Sequence, residues 1–278
     1  MTDTTAQARR QTPVARLFTK LFRNEPAPAV RAPRPQRPRE RFRPDDHAAI
    51  YAIGDVHGCY EELVDAERRI LADAVGIDGP KLIVLLGDYV DRGKRSREVL
   101  DHLCTPPPAG FTRIALCGNH DDLFLRFLHE ADDDHQWLEC GGRETLHSYG
   151  IDPDYLMQRN GGRAALAATA KAAVPARHIE LLRSMPGALA VGDIIFAHAG
   201  LRPGVPLEAQ RDRDLLWIRE PFLSRGPGAS HLVVHGHTPN LEPVFGPGRI
   251  GIDTAAFATG KLTVLKIACG ETALLAPR

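Results

Sequence analysis

The stretch Gly87-Asp88-Tyr89-Val90-Asp91-Arg92-Gly93 decides how this chain is read. It follows Lys81-Leu82-Ile83-Val84-Leu85-Leu86, a short apolar run rich in branched residues. Such a run reads as a buried strand, here delivered into a polar turn bracketed by two glycines. Two carboxylates and a guanidinium then emerge together at the carboxyl end of a strand, where open α/β sheets collect ligands. Packing gives no reason for Asp, Asp and Arg in that order. A site for cations and phosphate does: carboxylates ligate metals, and Arg grips phosphate oxygens two at a time.

The same rhythm brackets this stretch on both sides. Ala48–Ile53 is an apolar strand ending in Gly54-Asp55-Val56-His57-Gly58, followed by apolar residues at helical intervals from Glu61 to Ala74. After a second helix near Ser96–Leu103 and a Pro-rich turn, Thr112–Cys117 ends in Gly118-Asn119-His120-Asp121. Strand, loop and helix repeated three times predict an α/β fold with a parallel or mixed sheet and crossover helices. From Asp122 to about Met185 the pattern turns helical and Ala-rich, and includes the run Trp137 to Gly150; it reads as an inserted helical cap, because sheet signals resume afterward. Ala188–Val191 and Asp193–Ala197 pair around Gly192 and end in His198-Ala199-Gly200. His231–Val234 ends in His235-Gly236-His237, and Arg249–Asp253, Lys261–Ile267 and Thr272–Leu275 read as closing antiparallel hairpins.

With 278 residues the chain can hold one large domain, and its 35 basic and 35 acidic residues leave no net charge to name a partner. Residues 1–46 carry 11 Arg/Lys against 5 Asp/Glu, and the Pro- and Arg-rich part of them cannot bury enough apolar surface to order itself. The expected layout is a basic disordered tail, 1–46, and a folded domain, 47–278, with its cap at about 122–185. Within the tail, Val14, Leu17, Phe18, Leu21 and Phe22 recur at helical spacing with basic residues between them. A helix there could touch a partner or an acidic membrane surface, although so short a helix is marginal in water. The tail has no interleaved aromatics for base stacking, so nucleic acid is not an expected partner. Five scattered cysteines without a close pair fit free thiols in a reducing compartment. No run of about 18 apolar residues or secretory h-region occurs, and cytoplasm is the expected location.

Asp55, His57, Asp88, Asn119, His120, His198 and His237 all sit just after strands, on five different strand ends. Carboxylate, imidazole and amide oxygen suit Mn, Fe or Zn and not a thiolate site. Seven such groups exceed one ion's needs; two ions about 3.5–4 Å apart, sharing a carboxylate, use them. Singly, each motif has a plain reading: a polar loop pair, a helix cap at Asn119, a satisfied core histidine at His198. Jointly they point to a phosphate site.

In this order the motifs Gly54-Asp-Val-His-Gly58, Gly87 to Gly93, Gly118-Asn-His-Asp121, His198-Ala-Gly200 and His235-Gly-His237 resemble those of the phosphoprotein phosphatases. That family lies within the calcineurin-like metallophosphoesterases and includes lambda phosphatase and the symmetrical diadenosine tetraphosphatases. The likeness covers about residues 48–270. It implies a β-sandwich flanked by helices, with a dinuclear metal centre of Mn, or else Fe or Zn. By the resemblance, Asp55 and His57 hold the first metal, Asp88 bridges, and Asn119, His198 and His237 hold the second; His235 is a neighbour. His120 resembles the general acid, oriented by Asp91, while Arg92 and Arg219, together with Asn119, resemble the groups that bind substrate phosphate. Hydrolysis by an activated water between the metals, with no covalent intermediate, is the implied reaction. The chain departs from the family pattern at Asp121 (Glu in eukaryotic enzymes) and Ala199 (Gly), and in Asp253 to Lys261, where Ala255 and Thr259 replace glycines and Ala258 stands where an aromatic is common.

Three functions compete. The cap run Trp137 to Gly150 resembles that of bacterial protein phosphatases, which favours a serine/threonine protein phosphatase acting on phosphoproteins. The alternative is a symmetrical bis(5'-nucleosyl)-tetraphosphatase acting on a dinucleotide; both would use the same metals. A binding protein without turnover is disfavoured, because every expected ligand, the acid and both arginines are present.

Overall fold

Branched and aromatic residues at the expected places form two sheets in the computed structural model, which describes residues 35–129, 137–158, 162–228 and 231–276. Strands β2 (Ala49–Ile53), β3 (Lys81–Leu85) and β4 (Phe111–Ala115) lie parallel, with Ile53 beside Leu85 and Leu85 beside Ala115. Their outgoing loops therefore leave the sheet at one level. Antiparallel β10 (Val264–Ala268) and β11 (Glu271–Leu275) complete this sheet in the order β11-β10-β2-β3-β4. Helices α1 (Tyr60–Asp73) and α2 (Ser96–Leu103) make the crossovers.

The second sheet runs β1-β5-β6-β7-β9-β8. It contains β1 (Arg39–Phe42), the hairpin β5 (Ala188–Val191) and β6 (Ile194–Ala197), β7 (Leu232–His235), β8 (Val244–Gly246) and β9 (Arg249–Gly251). β9 runs parallel to β7 and only its partner β8, unforeseen in the sequence, is antiparallel to it. Side chains of alternate residues fill the layers, as the two-residue strand repeat requires. Ala52, Leu82, Val84 and Leu265 of one sheet meet Leu189, Phe196, Val234 and Ile250 of the other. Tyr51, Ile53, Ile83 and Leu85 face the opposite way, onto Leu63, Ile70 and Leu100 of the helices. This is a β-sandwich with flanking helices.

Described residues between Asn119 and Ser184 are mainly helical: α3 (Asn119–His129), a π-turn at Leu138–Gly142, α4 (Arg143–Ser148), α5 (Pro153–Met157), α6 (Gly162–Ala173) and α7 (Ala176–Ser184). Phe124, Trp137, Leu146, Leu166 and Leu182 join the same apolar cluster as the outer face of β2 and β3. Short helices α8 (Asp212–Trp217), α9 (Phe222–Arg225) and α10 (Ala256–Thr259) precede and follow the later strands.

The fold begins earlier than the expected boundary at residue 47. Arg39–Phe42 pairs in parallel with β5, and Arg37 is tied down before it. The Arg37 guanidinium donates to the carbonyls of Leu182 and Met185 (3.1 and 3.0 Å) and pairs with Asp122 at 3.3 Å; Arg39 pairs with Asp212 at 2.8 Å. Ion pairs and main-chain bonds, with Phe42 packed against the core between the sheets, hold this edge strand, and its Pro- and Arg-rich surroundings conceal it. The helix expected around residues 14–23, like the rest of 1–34, lies outside the described residues.

Candidate metal centre and active site

Five strand ends bring the sequence candidates to one place. The loop after β3 supplies Asp88, Asp91 and Arg92; that after β2 supplies Asp55 and His57; α3 opens with Asn119 and His120; and β6 and β7 are followed by His198 and His237. All except Arg92 are buried. Two glycines allow the loops to close. A Cβ on Gly118 would stand 2.1 Å from Asp88 Oδ1, and one on Gly236 would stand 1.9 Å from Asp55 Oδ1. His57, Asp88, Asp91, Arg92 and His237 all have positive φ, between 44° and 74°. L-residues adopt that backbone at a cost, and its concentration here is typical of a functional site.

Asp121, noted in the sequence only as a departure, is what fixes two of these loops together. Its Oδ2 accepts the N–H groups of Asp88 and Gly118 (both 2.8 Å) and its Oδ1 that of Tyr89 (2.9 Å). Asp55 accepts the N–H of His237 at 3.0 Å and thereby links the two sheets.

The atoms that converge are lone-pair donors. His57 Nδ1 lies 2.9 Å from Val90 O, and His198 Nδ1 2.9 Å from Leu86 O. A carbonyl only accepts, so both protons sit on Nδ1 and each Nε2 is left bare. Yet His57 Nε2 faces Asp88 Oδ2 at 3.5 Å, and His198 Nε2 faces Asn119 Oδ1 at 2.7 Å and Asp88 Oδ1 at 3.4 Å. His237 Nδ1 approaches the same Asn119 oxygen at 2.9 Å. His198 Nε2 and the Asp88 and Asn119 oxygens are acceptors aimed at one another, an arrangement that a cation between them would satisfy. His57, Asp88 and His120 form one potential cation-binding group, and Asp88, His198 and His237 another, with Asp88 common to both. The donor set fits two divalent ions sharing a carboxylate.

Electrostatics agrees. Burial, with Arg92 and His120 beside it, holds His57 well below the usual imidazole range. Burial, then His198 and Arg219, does the same to His237. His198 is lowered by burial against the pull of Asp88. Neutral imidazoles are the ligating form. Burial, with Asp253 and Asp88 nearby, raises Asp55 well above the carboxylate range, and burial lifts Asp253 to about 6. So many buried carboxylates together favour a bound cation.

His120 is set apart. Its Nδ1 donates to Asp91 Oδ2 at 2.7 Å, while Arg92 donates to its Nε2 at 3.0 Å and to Nε2 of His57 at 3.0 Å. Burial disfavours its charged form, but Asp88 and Asp91 prevail over burial and Arg92 and raise its pKa. Asp91 also accepts from Trp137 Nε1 (2.8 Å) and Thr145 Oγ1 (2.7 Å), and its own N–H is taken by Thr145 Oγ1 at 2.8 Å. Trp137 and Thr145 belong to the cap, and their attachment to Asp91 was not read from the sequence; only the run Trp137-x-x-x-Gly-Gly-x-x-Thr145 marked the place. Arg219 follows α8 and lies close enough to depress both His198 and His237. His235 points elsewhere: its Nδ1 donates to Gly236 O, and Arg249 donates to its Nε2 at 3.3 Å. Ala255 holds the left-handed backbone (φ 51°) that a glycine would hold easily, and Phe257 turns its ring to His57 and Arg92.

A two-sheet sandwich whose strand ends gather Asp, His and Asn around a shared carboxylate defines a metal-dependent phosphoesterase. Residues 48–264 match the calcineurin-like phosphoesterase family model, and the chain belongs to that family of hydrolases. The family depends on a dinuclear metal centre. The chain is 25% identical over 239 residues to the asymmetrical bis(5'-nucleosyl)-tetraphosphatase PrpE of Geobacillus thermodenitrificans, covering 78% of this chain and 89% of that one. It is 33% identical over 128 residues to the symmetrical bis(5'-nucleosyl)-tetraphosphatase of Aromatoleum aromaticum, covering 43% of this chain and 44% of the other. Among solved structures, a putative diadenosine tetraphosphatase superposes with TM-score 0.55 at 21% identity, over 85% of this chain and 97% of that one. A serine/threonine phosphatase from Saccharomyces cerevisiae does so with TM-score 0.51 at 17% identity, over 84% and 78%. These likenesses establish the fold. Among the described residues no helix is long and apolar enough to cross a membrane.

Proposed function

We propose that this phosphoesterase hydrolyses phosphate esters of poor alcohol leaving groups, with phosphoserine and phosphothreonine in proteins as the favoured substrates. One observation carries the reading: the His120–Asp91 pair at 2.7 Å, held by Trp137 and Thr145, at the edge of the cation-binding cluster. A serine or threonine alkoxide leaves badly unless protonated, and a raised, carboxylate-backed imidazole is suited to supply the proton. Asp55, His57 and Asp88 would hold one divalent ion, and Asp88, Asn119, His198 and His237 the other, manganese being preferred over iron or zinc. Two such ions lower the pKa of a water and neutralise phosphate charge. Arg92 and Arg219, with Asn119, orient the phosphate so that its ester oxygen points to His120. His120 then passes its Nε2 proton to that oxygen, while Asp91 stabilises the imidazolium through Nδ1. No covalent intermediate is needed.

A second reading, symmetrical hydrolysis of dinucleoside tetraphosphates, draws on relatives named bis(5'-nucleosyl)-tetraphosphatase, of which those aligned over most of the chain are named asymmetrical and the symmetrical one aligns over 43% of it. The two separate in a substrate panel on manganese-loaded protein: a phosphoserine peptide, p-nitrophenyl phosphate and diadenosine tetraphosphate. Faster turnover of the peptide supports the first; much faster turnover of the dinucleotide overturns it. Asp88→Asn and His120→Asn are each expected to abolish hydrolysis of the phosphopeptide, with only the former losing metal.

A further inference from the structure

The contacts of the Arg92 side chain include two imidazoles and an aromatic ring. Its Nη1 and Nη2 donate to Nε2 of His57 and of His120, each at 3.0 Å, and its guanidinium carbon sits 4.9 Å from the centre of the Phe257 ring. The same ring meets the His57 imidazole edge to face, 5.4 Å between centres at 84°. The two imidazole contacts occupy lone pairs that turnover needs. His57 has only Nε2 to offer a cation, because Nδ1–H is committed to Val90 O. His120 must carry the leaving-group proton on Nε2, because Nδ1–H is committed to Asp91. A guanidinium cannot keep both nitrogens while a cation and a proton take them. The Phe257 ring attracts the guanidinium through its π face and consumes no N–H.

We infer that Phe257 is a positioning residue: its ring holds the Arg92 guanidinium beside His57 and Asp88 when the imidazoles are engaged elsewhere, and so sets affinity for the phosphate group. The inference rests on Arg92 being a phosphate clamp. The segment that carries the ring is fastened to itself. Thr254 Oγ1 donates to Lys261 O at 2.7 Å, Thr259 Oγ1 to Thr254 O at 2.8 Å, and Asp253 Oδ1 accepts the Ala255 N–H at 2.9 Å. Arg92 is also pinned at its backbone, where its N–H donates to Gly141 O at 3.1 Å. Both ends of the contact are therefore fixed, and only the long Arg stem is left for the ring to restrain.

The test is a double-mutant cycle on full-length, manganese-loaded protein, with p-nitrophenyl phosphate as substrate and inorganic phosphate as competitive inhibitor. Phe257→Leu keeps the apolar bulk and removes the quadrupole, and should raise KM and the phosphate inhibition constant about 3–30-fold, the worth of a partly buried cation–π contact. Its kcat should change by less than about twofold, because uniform binding is what is lost. Phe257→Tyr should restore both constants. In an Arg92→Ala background the effect of Phe257→Leu should be clearly smaller, what remains being the loss of the ring's contact with His57. Unchanged phosphate inhibition in Phe257→Leu overturns the inference, as does the same loss in both backgrounds, which leaves the clamp standing. Unchanged inhibition in Arg92→Ala alone removes the clamp, and the inference with it.

Discussion

Replacing Asp91 by Asn keeps the shape of the His120 support and removes its charge. An Asn oxygen can accept from His120 Nδ1 and Trp137 Nε1, as Asp91 Oδ2 does now, while its amide donates to Thr145 Oγ1. Folding should survive. What goes is a charge-assisted bond to a buried imidazolium, worth about 1.5–3 kcal/mol. Its loss lowers the His120 pKa, since Asp91 is one of the groups that raise it. With the imidazolium as the proposed proton donor, activity is lost as pH rises through that pKa, and the basic limb of the profile should move to lower pH. At neutral pH, kcat/KM for a phosphoserine peptide should fall about 10–100-fold, within the usual reach of general acid catalysis. The rate on p-nitrophenyl phosphate, whose leaving group departs without a proton, should stay within about threefold. The assay is a pH–rate series on both substrates, with the thermal midpoint as a fold control. Equal losses on both substrates, with an unmoved basic limb, would show that Asp91 does not act through His120.

Asp121→Asn should cost about 2–3 kcal/mol, because an amide nitrogen would face either the Tyr89 N–H or the pair from Asp88 and Gly118, where a carboxylate now accepts all three; a denaturant midpoint lowered at constant slope is the check. Stabilisation by manganese should grow with pH. Burial lifts Asp253 to about 6 from 3.8, so the metal-free fold is favoured while that carboxyl is protonated and loses up to about 3 kcal/mol as pH rises from 3.8 through 6. The rise in melting temperature on adding manganese should accordingly be larger at pH 7.5 than at pH 5, and an equal or smaller rise would refute the reasoning. Gly141→Ala should impair phosphate binding, because Gly141 has φ 117° and a Cβ there would stand 2.6 Å from Arg92 N; an unchanged KM for p-nitrophenyl phosphate would count against it.

The convergence of the candidate residues was legible because each follows a strand of branched residues, and parallel register carries such positions to one edge. His198 and His237 stand more than 75 residues beyond Asn119, yet the reading needed only that β6 and β7 end at the same level. The supports were less legible. Asp121 acts through main-chain N–H groups, which no residue pattern displays. Trp137 and Thr145 reach Asp91 only because the cap folds back over the β3 loop, a contact made by tertiary packing. β1 was hidden because an edge strand held by arginines carries none of the apolar alternation by which strands are recognised.

That edge strand has a practical bearing on how the enzyme is handled. Arg39–Phe42 occupies the open flank of β5, and Arg37 just before it reaches Asp122 in the helix that opens with Asn119 and His120. A chain trimmed to begin at Ala48, at the first obvious strand, would bare the N–H and C=O row of β5 to any other copy and leave Asp122 with Arg126 alone of its two arginines. Shortened forms should therefore keep Pro35 onward, and clumping of a form cut at Ala48 would reflect exposed main chain and say nothing about the catalytic groups.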